Sequence, residues 1–252
     1  MKLNLVLKNS FWPIIAKFIN LVFIVMLIKF LSLNVDSYTF GEMMFLMSQL
    51  TIFTTISKFG LTNFTQKIFL DNKIKSNEVF SFIFFFKFLI IFLCVSFFIF
   101  LNRGHFPTSI IMSFVLISSI SDLFIDHKYF TRDFKKTFIA QSFINSILIL
   151  LLLLVFSSKQ VKFDEQIFAY FYSSSFLIFF ILYFWHYLKK NIFSFFNFNN
   201  IHLFKNIIIG AIPYLLIGIV NALIIRTDIF LLDFYLTKES VGYYVACTRI
   251  LE

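Results

Sequence analysis

The sequence predicts an all-α, polytopic membrane protein: a helical bundle with one six-helix lobe and the first one or two helices of a second lobe. Three observations predict this class. Hydrophobic residues make up 60% of the chain and charged residues 14%, against roughly 45–50% and about 25% in soluble domains. The apolar residues form runs about as long as one membrane crossing. These runs lack the alternating pattern of a transmembrane barrel, which leaves helices.

The apolar spans follow one another along the whole chain, and lipid offers their backbone groups no hydrogen-bond partners, so each must form a helix. We place the spans at Phe11–Leu31, Phe40–Leu61, Val79–Leu101, Pro107–Ile125, Phe138–Phe156, Ile167–Leu188 and Ile207–Phe230, with a further span beginning at Val241. We assign residues 1–203 to an N-terminal six-helix transmembrane lobe. Residues 204–252 are the predicted start of a second lobe, with its helix 7 and part of helix 8.

Two stretches of the chain have the same order of features. Pro13–Gly41 and Pro213–Gly242 each contain a proline, an apolar span, a short polar turn and a glycine that opens the next apolar span. They lie about 200 residues apart, which indicates an internal repeat whose second copy has only begun. The sequence therefore predicts that the chain is truncated, as a fragment or the product of an interrupted gene.

The distribution of Lys and Arg predicts the orientation in the membrane. Most of them lie at the N-terminus and in the even-numbered connections, so the positive-inside rule places the N-terminus in the cytoplasm. The first span is not a signal peptide, because Lys17 and Lys29 interrupt it and no small-residue cleavage site follows.

Several function classes are disfavoured by composition. The net charge of +9 does not indicate nucleic acid, because the lysines lie between apolar spans and form no basic patch on a soluble face. Cys94 and Cys247 both fall in apolar spans, which predicts neither a disulfide framework nor a thiolate metal site. The connections are too short for a catalytic domain and the histidines are scattered. We therefore predict no catalytic residues, no metal, no cofactor and no enzyme.

Charged and polar side chains inside the spans are the candidate functional residues, because a charge at membrane depth is costly and is usually turned towards protein or a wet cavity. The candidates are Lys17, Lys87, Arg226, Asp228, Asn221 and Asp122. For Lys17 the alternative is snorkelling to the cytoplasmic surface. For Asp122 a structural ion pair is an equal alternative. Arg226 and Asp228 are two residues apart on one helix and are predicted not to pair.

Motifs in the first and last parts of the chain follow one another in a recognisable order. The chain opens with FWPIIAKFINLVFIVMLIKFL, then DSYTFGEMMFLMSQL and ISKFGLTNFTQKIF, which contains Phe59-Gly60-Leu61. Later come IPYLLIGIVNALIIRTDIFLL and KESVGYYVACTRILE, with an early proline, a late aspartate (Asp228), a Val-Gly-Tyr turn and a terminal Glu252. In this order the motifs resemble the first two helices, with their Phe-Gly-Leu signature, and the seventh and eighth helices of the polysaccharide-exporter, or O-antigen flippase, family. Leu232-Asp233 departs from the family, which commonly has a small residue after the leucine.

The resemblance implies the fold of the multidrug, oligosaccharidyl-lipid and polysaccharide exporter superfamily, in which two lobes face a central cavity. The implied substrate is an undecaprenyl-diphosphate-linked oligosaccharide, flipped across the bacterial cytoplasmic membrane beside membrane lipid and other polysaccharide-assembly proteins. Lys17, Lys87 and Arg226 are then expected to contact the diphosphate in one shared vestibule. Asp228, Asn221 and Asp122 are expected to serve sugar hydroxyls or a coupling ion.

Two other functions remain open from the sequence. A cation-coupled multidrug exporter of the same superfamily would favour carboxylates over lysines in the cavity. A non-transporting scaffold or remnant would agree with an incomplete second lobe.

Overall fold

The computed structural model describes residues 2–61, 64, 76–120, 165–188 and 201–248. All regular elements in these ranges are helices, with no strand among them, as the fold-class prediction requires. The helices are α1 (Lys2–Asn34), α2 (Ser37–Lys58), α3 (Ser76–Leu101), a 3-10 turn (Arg103–His105), α4 (Phe106–Ser118), α5 (Glu165–Leu188), α6 (Ile201–Tyr235) and α7 (Lys238–Thr248).

Three of the described helices are long and apolar enough to cross a membrane. These segments are Lys17–Asn34 in α1, Phe82–Leu101 in α3 and Lys205–Tyr235 in α6. They support the membrane assignment, but not the full six-helix lobe, which stays a prediction. The predicted fifth span (138–156) and the end of the fourth lie outside the described residues.

The helices α1 and α6 are longer than the spans predicted for them. α6 has 35 residues and measures about 50 Å at 1.5 Å per residue, well beyond a hydrocarbon layer of about 30 Å. Hydropathy marks only the part of a helix that lies in lipid. Lys205 is a good helix former, and a single Asn206 costs too little to end the helix there.

Helix α2 lies at the centre of the described bundle and contacts α1, α3, α4, α5, α6 and α7. Its buried positions include small residues, Gly41, Ser48 and Ser57, which let neighbouring backbones approach closely. The Ser48 hydroxyl donates to the Met44 carbonyl at 2.8 Å, so burying it leaves no orphan donor. The sequence of α2 therefore suits a helix surrounded by protein.

The turns that join α1 to α2 and α6 to α7 have the same backbone design. α1 ends at Asn34 and α6 ends 201 residues later, at Tyr235. α2 starts at Ser37 and α7 also starts 201 residues later, at Lys238. In each turn the N–H of the first residue beyond the helix donates to the carbonyl oxygen four residues earlier. Val35 donates to Leu31 at 3.0 Å, and Leu236 donates to Leu232 at 2.9 Å. The two hairpins, α1–α2 and α6–α7, thus repeat one structure.

A side chain caps the second helix of each hairpin. The Asp36 carboxylate accepts from the Thr39 N–H at 3.0 Å, and the equivalent Thr237 hydroxyl accepts from the Ser240 N–H at 3.4 Å. Such caps satisfy backbone donors that the first helical turn leaves open. The Thr39 N–H and hydroxyl, in that order, lower the pKa of the Asp36 carboxyl, because both bonds favour its charged form.

The two hairpins meet where α2 and α7 pack through a pair of glycines, which we call the glycine seam (Gly41 and Gly242). A Cβ on Gly41 would overlap the carbonyl oxygen of Lys238, and one on Gly242 would lie 2.5 Å from the carbonyl oxygen of Ser37. Ser37 and Lys238 are themselves equivalent residues of the repeat. The contacts are therefore reciprocal, as at an interface with local two-fold symmetry.

Helices α2 and α6 run antiparallel along each other. The C-terminal end of α2 lies at the first half of α6, where a Cβ on Gly60 would lie 2.7 Å from the Ala211 carbonyl oxygen. Towards the N-terminus of α2, a Cβ on Gly218 would lie 3.1 Å from Thr55, and the Phe45 and Phe230 rings are 5.5 Å apart. These contacts set the register of α6 against α2.

Candidate functional site

The three candidate cations have different environments. The Lys87 side chain on α3 is fully buried, with 0% of its surface exposed. Lys17 on α1 is exposed and Arg226 on α6 is partly buried. Burial of a charge of this kind is costly unless protein groups compensate it, so Lys87 is the candidate whose position is most constrained by the fold.

The structure does not gather these cations at one level of the bundle. Lys87 follows Phe86, whose ring packs at 5.2 Å from Phe59 at the C-terminal end of α2. The α2–α6 register places Arg226 near Gln49 instead. The difference is ten residues of α2, or about 15 Å along its axis. Helix packing around α2 thus places Lys87 and Arg226 at different levels, and their convergence with Lys17 on one shared vestibule stays a prediction.

Arg226 lies on the face of α6 that is turned towards α2. The neighbours one turn before and after it, Ala222 and Ile229, are both buried. Its Nε is buried as well and has no hydrogen-bond partner within the described part of the chain. A guanidinium N–H without an acceptor is expensive at such a position.

Asp228 belongs to a separate contact between α6 and α7. Its carboxylate accepts a 2.6 Å hydrogen bond from the Tyr244 hydroxyl and a 2.8 Å bond from the Ile229 N–H. No ion pair joins it to Arg226 among the described residues, in agreement with the predicted divergence of the two side chains. Tyr244, which the sequence analysis did not single out, is the residue that fixes this carboxylate.

The remaining candidates are less informative. Asn221 is exposed on α6, and its counterpart 201 residues earlier in the repeated hairpin is Asn20. Asp122 lies outside the described residues. Asp233, at the departure from the family pattern, forms an ion pair with Lys238, whose ammonium also lies 3.8 Å from the centre of the Phe45 ring. This pair fastens the α6–α7 turn to α2.

Gln49 on α2 is the second residue that sequence reasoning missed. Its Oε1 is buried and accepts no hydrogen bond from any described group. The signal was present in the sequence, because an amide side chain within an apolar span is costly to bury. Its neighbours in the span do not distinguish it, because an uncharged amide stands out less in an apolar run than the lysines and arginines do.

A scan against protein-family models matches none, and searches of the curated proteins and of the solved structures find no match. In the described ranges no three His, Cys, Asp or Glu residues gather in a group that could hold a metal ion. The function must therefore be argued from the geometry of the helices and their charges.

Tyr244→Phe is expected to weaken the α6–α7 contact. It removes a hydrogen bond to a charged group, which contributes about 1.5–3 kcal/mol, and leaves the Asp228 carboxylate with its backbone partner only. Thermal unfolding of the purified protein in detergent measures the loss. Tyr243→Phe is the matched control, because Tyr243 is 64% exposed on the same turn. Equal effects of the two substitutions would show that the Asp228 bond contributes nothing.

Proposed function

We propose that the protein is a membrane transporter that flips an undecaprenyl-diphosphate-linked oligosaccharide across the bacterial cytoplasmic membrane during surface polysaccharide assembly. The proposal is supported by the sequence motifs that resemble the O-antigen flippases. Its principal structural support is the pair of repeated hairpins that meet at the glycine seam. Two equivalent elements related by local two-fold symmetry are a recurrent basis of alternating access in transporters.

The positions of the charges also support transport of an anionic headgroup. A diphosphate that crosses about 30 Å of hydrocarbon loses its water and needs replacement donors along the way. Lys87 and Arg226 lie at levels about 15 Å apart on helices that both pack on α2. We propose that they act in succession on the substrate, at two depths of the bilayer. Lys17, exposed on α1, would meet the headgroup near the cytoplasmic surface.

The remaining roles follow from this assignment. Asp228 and Asn221 would contact sugar hydroxyls or a coupling ion, and Asp122 would share that role. The N-terminus would be cytoplasmic, membrane lipid would surround the exposed apolar faces, and other polysaccharide-assembly membrane proteins are the proposed partners. The function requires no covalent chemistry and no nucleic acid.

The proposal predicts that Lys87→Ala and Arg226→Ala each abolish surface polysaccharide in cells that depend on this gene. Each substitution removes one cation that replaces the water around the diphosphate, at one of the two depths of the bilayer. Surface polysaccharide is measured by labelling intact cells, and the protein in the membrane fraction is measured by immunoblot. Lipid-linked oligosaccharide should accumulate in the cytoplasmic leaflet at the same time.

Lys29→Ala is the matched control, because Lys29 is exposed near the end of α1 and should tolerate substitution. Normal surface polysaccharide in both the Lys87 and Arg226 variants, with the protein present in the membrane, would refute the flippase. Unchanged polysaccharide together with increased sensitivity to cationic drugs would favour the multidrug exporter.

A further inference from the structure

Two buried polar atoms without partners lie on facing helices in the interior of the described bundle. The acceptor is Oε1 of Gln49 on α2 and the donor is Nε of Arg226 on α6. Neither has a hydrogen-bond partner within the described chain. Each such group lowers the free energy of unfolding by about 1–3 kcal/mol when it is buried without a partner. Both atoms therefore destabilise the fold.

The register of α2 and α6 brings these two residues to the same level. Thr55 lies opposite Gly218 and Phe45 lies opposite Phe230, so the residues of α2 between them face those between Gly218 and Phe230. Arg226 falls opposite Ser48 and Gln49 in this interval. Gln49 is also one helical turn from Phe45, and therefore on the same side of α2.

An unpaired donor at the same level as an unpaired acceptor suits a ligand that can satisfy both. A guanidinium N–H needs an acceptor and favours an anionic oxygen of a phosphate or carboxylate. The amide Oε1 needs a donor, which a fully ionised anion such as sulfate lacks and a hydroxyl supplies. A sugar phosphate carries anionic oxygens and hydroxyl donors on the same molecule, whereas sulfate supplies no donor and a neutral sugar supplies no charge.

We infer that Gln49 and Arg226 form a sugar-phosphate site between α2 and α6, in which Arg226 binds a phosphate oxygen and Gln49 accepts a hydrogen bond from a sugar hydroxyl. The site rests on the proposed function and adds to it the residue that selects a glycosylated phosphate over an anion without a hydrogen-bond donor. Discrimination of this kind is large when a buried polar group stays unpaired with the wrong ligand. Unsatisfied groups that lower stability are also typical of sites kept for function.

Binding of glucose 1-phosphate, sulfate and methyl glucoside to the purified full chain in detergent tests the inference by calorimetric titration. The wild type should bind glucose 1-phosphate about tenfold or more tightly than sulfate, a difference of about 1.4 kcal/mol. Gln49→Leu should remove that preference while sulfate binding stays unchanged. Arg226→Met should remove the binding of both anions.

Thr51→Val and Thr227→Val are matched controls on the same two helices. Their hydroxyls donate to carbonyls of their own helix, Met47 and Leu223, and their loss should leave all three affinities unchanged. A wild type that binds glucose 1-phosphate no better than sulfate would overturn the inference. So would a Gln49→Leu variant that keeps the preference.

A direct Gln49–Arg226 hydrogen bond is the competing explanation, and unfolding temperatures separate the two. For a ligand site, Gln49→Leu and Arg226→Met should leave the ligand-free protein as stable as the wild type or more so, because an orphan polar group is removed. For a structural bond, each single substitution should destabilise the protein, and the double variant should be no worse than either. Destabilisation by each single substitution, with no further loss in the double variant, would refute the inference.

If Gln49→Leu does not yield folded protein, Gln49→Glu provides the test. A carboxylate at this level should pair with Arg226 and displace the anion, so glucose 1-phosphate binding should be lost, and retained binding would refute the site. The outcome is separable from that of the flippase. Surface polysaccharide that depends on Lys87 and Arg226, without sugar-phosphate binding, removes only this site, and binding without transport removes only the proposed function.

Discussion

Among Gly→Ala substitutions in the described chain, Gly41→Ala is expected to cause the largest loss of stability. The new Cβ would overlap a backbone oxygen, that of Lys238 on α7, and a backbone atom cannot turn aside as a side chain can. The α2–α7 pair must separate, and overpacking of this kind costs about 1–3 kcal/mol or more. Thermal unfolding in detergent measures the loss.

The other glycines provide a graded control series. Gly104→Ala meets no atom within 4 Å, and Gly218→Ala approaches only the methyl group of Thr55, at 3.1 Å. We expect no effect from the first and a small effect from the second. Gly242→Ala should resemble Gly41→Ala, because the glycine seam is reciprocal. A Gly41 variant as stable as the Gly104 variant would mean that α2 and α7 do not pack through these residues.

Gly60→Ala is expected to produce the second large effect, for two separate reasons. The residue has φ +63°, a left-handed conformation that costs an L-residue roughly 1–2 kcal/mol. A Cβ there would also lie 2.5 Å from the Leu215 nitrogen of α6. The substitution should separate the end of α2 from α6 and lower the unfolding temperature by several degrees.

Asparagine at the same position distinguishes backbone strain from steric overlap. Asn tolerates the left-handed region better than Ala does, but it carries the same Cβ. If strain dominates, Gly60→Asn should be clearly milder than Gly60→Ala. If the overlap with α6 dominates, the two should be equally damaging, which is our expectation. Wild-type stability in both variants would contradict the close approach of α2 and α6.

Local features of the fold were largely predictable from the sequence. Apolar length identified the described spans, and the repeated order of proline, apolar span, turn and glycine marked the two hairpins. The glycine that opened each second span was visible as a pattern. Its reason was not, because only the packing of α2 on α7 reveals that Gly41 and Gly242 meet each other.

The relation between the charged residues was not predictable from the sequence. Helical periodicity gives the face on which a residue lies, but not the neighbour against which that face packs or the level at which two helices meet. Lys87 and Arg226 were therefore expected together, whereas their neighbours on α2 lie at levels about 15 Å apart along that helix. Gln49 was missed for the same reason, since its interest depends on the register between α2 and α6.

The reciprocity at Gly41 and Gly242 limits how the two hairpins can move. Each backbone contact has a counterpart on the other side of the local dyad, Lys238 against Gly41 and Ser37 against Gly242. A slide of one hairpin along the dyad, or a twist about it, would tighten one contact and open the other. A displacement perpendicular to the dyad that opens one contact opens the other equally, so it is the movement that this junction resists least.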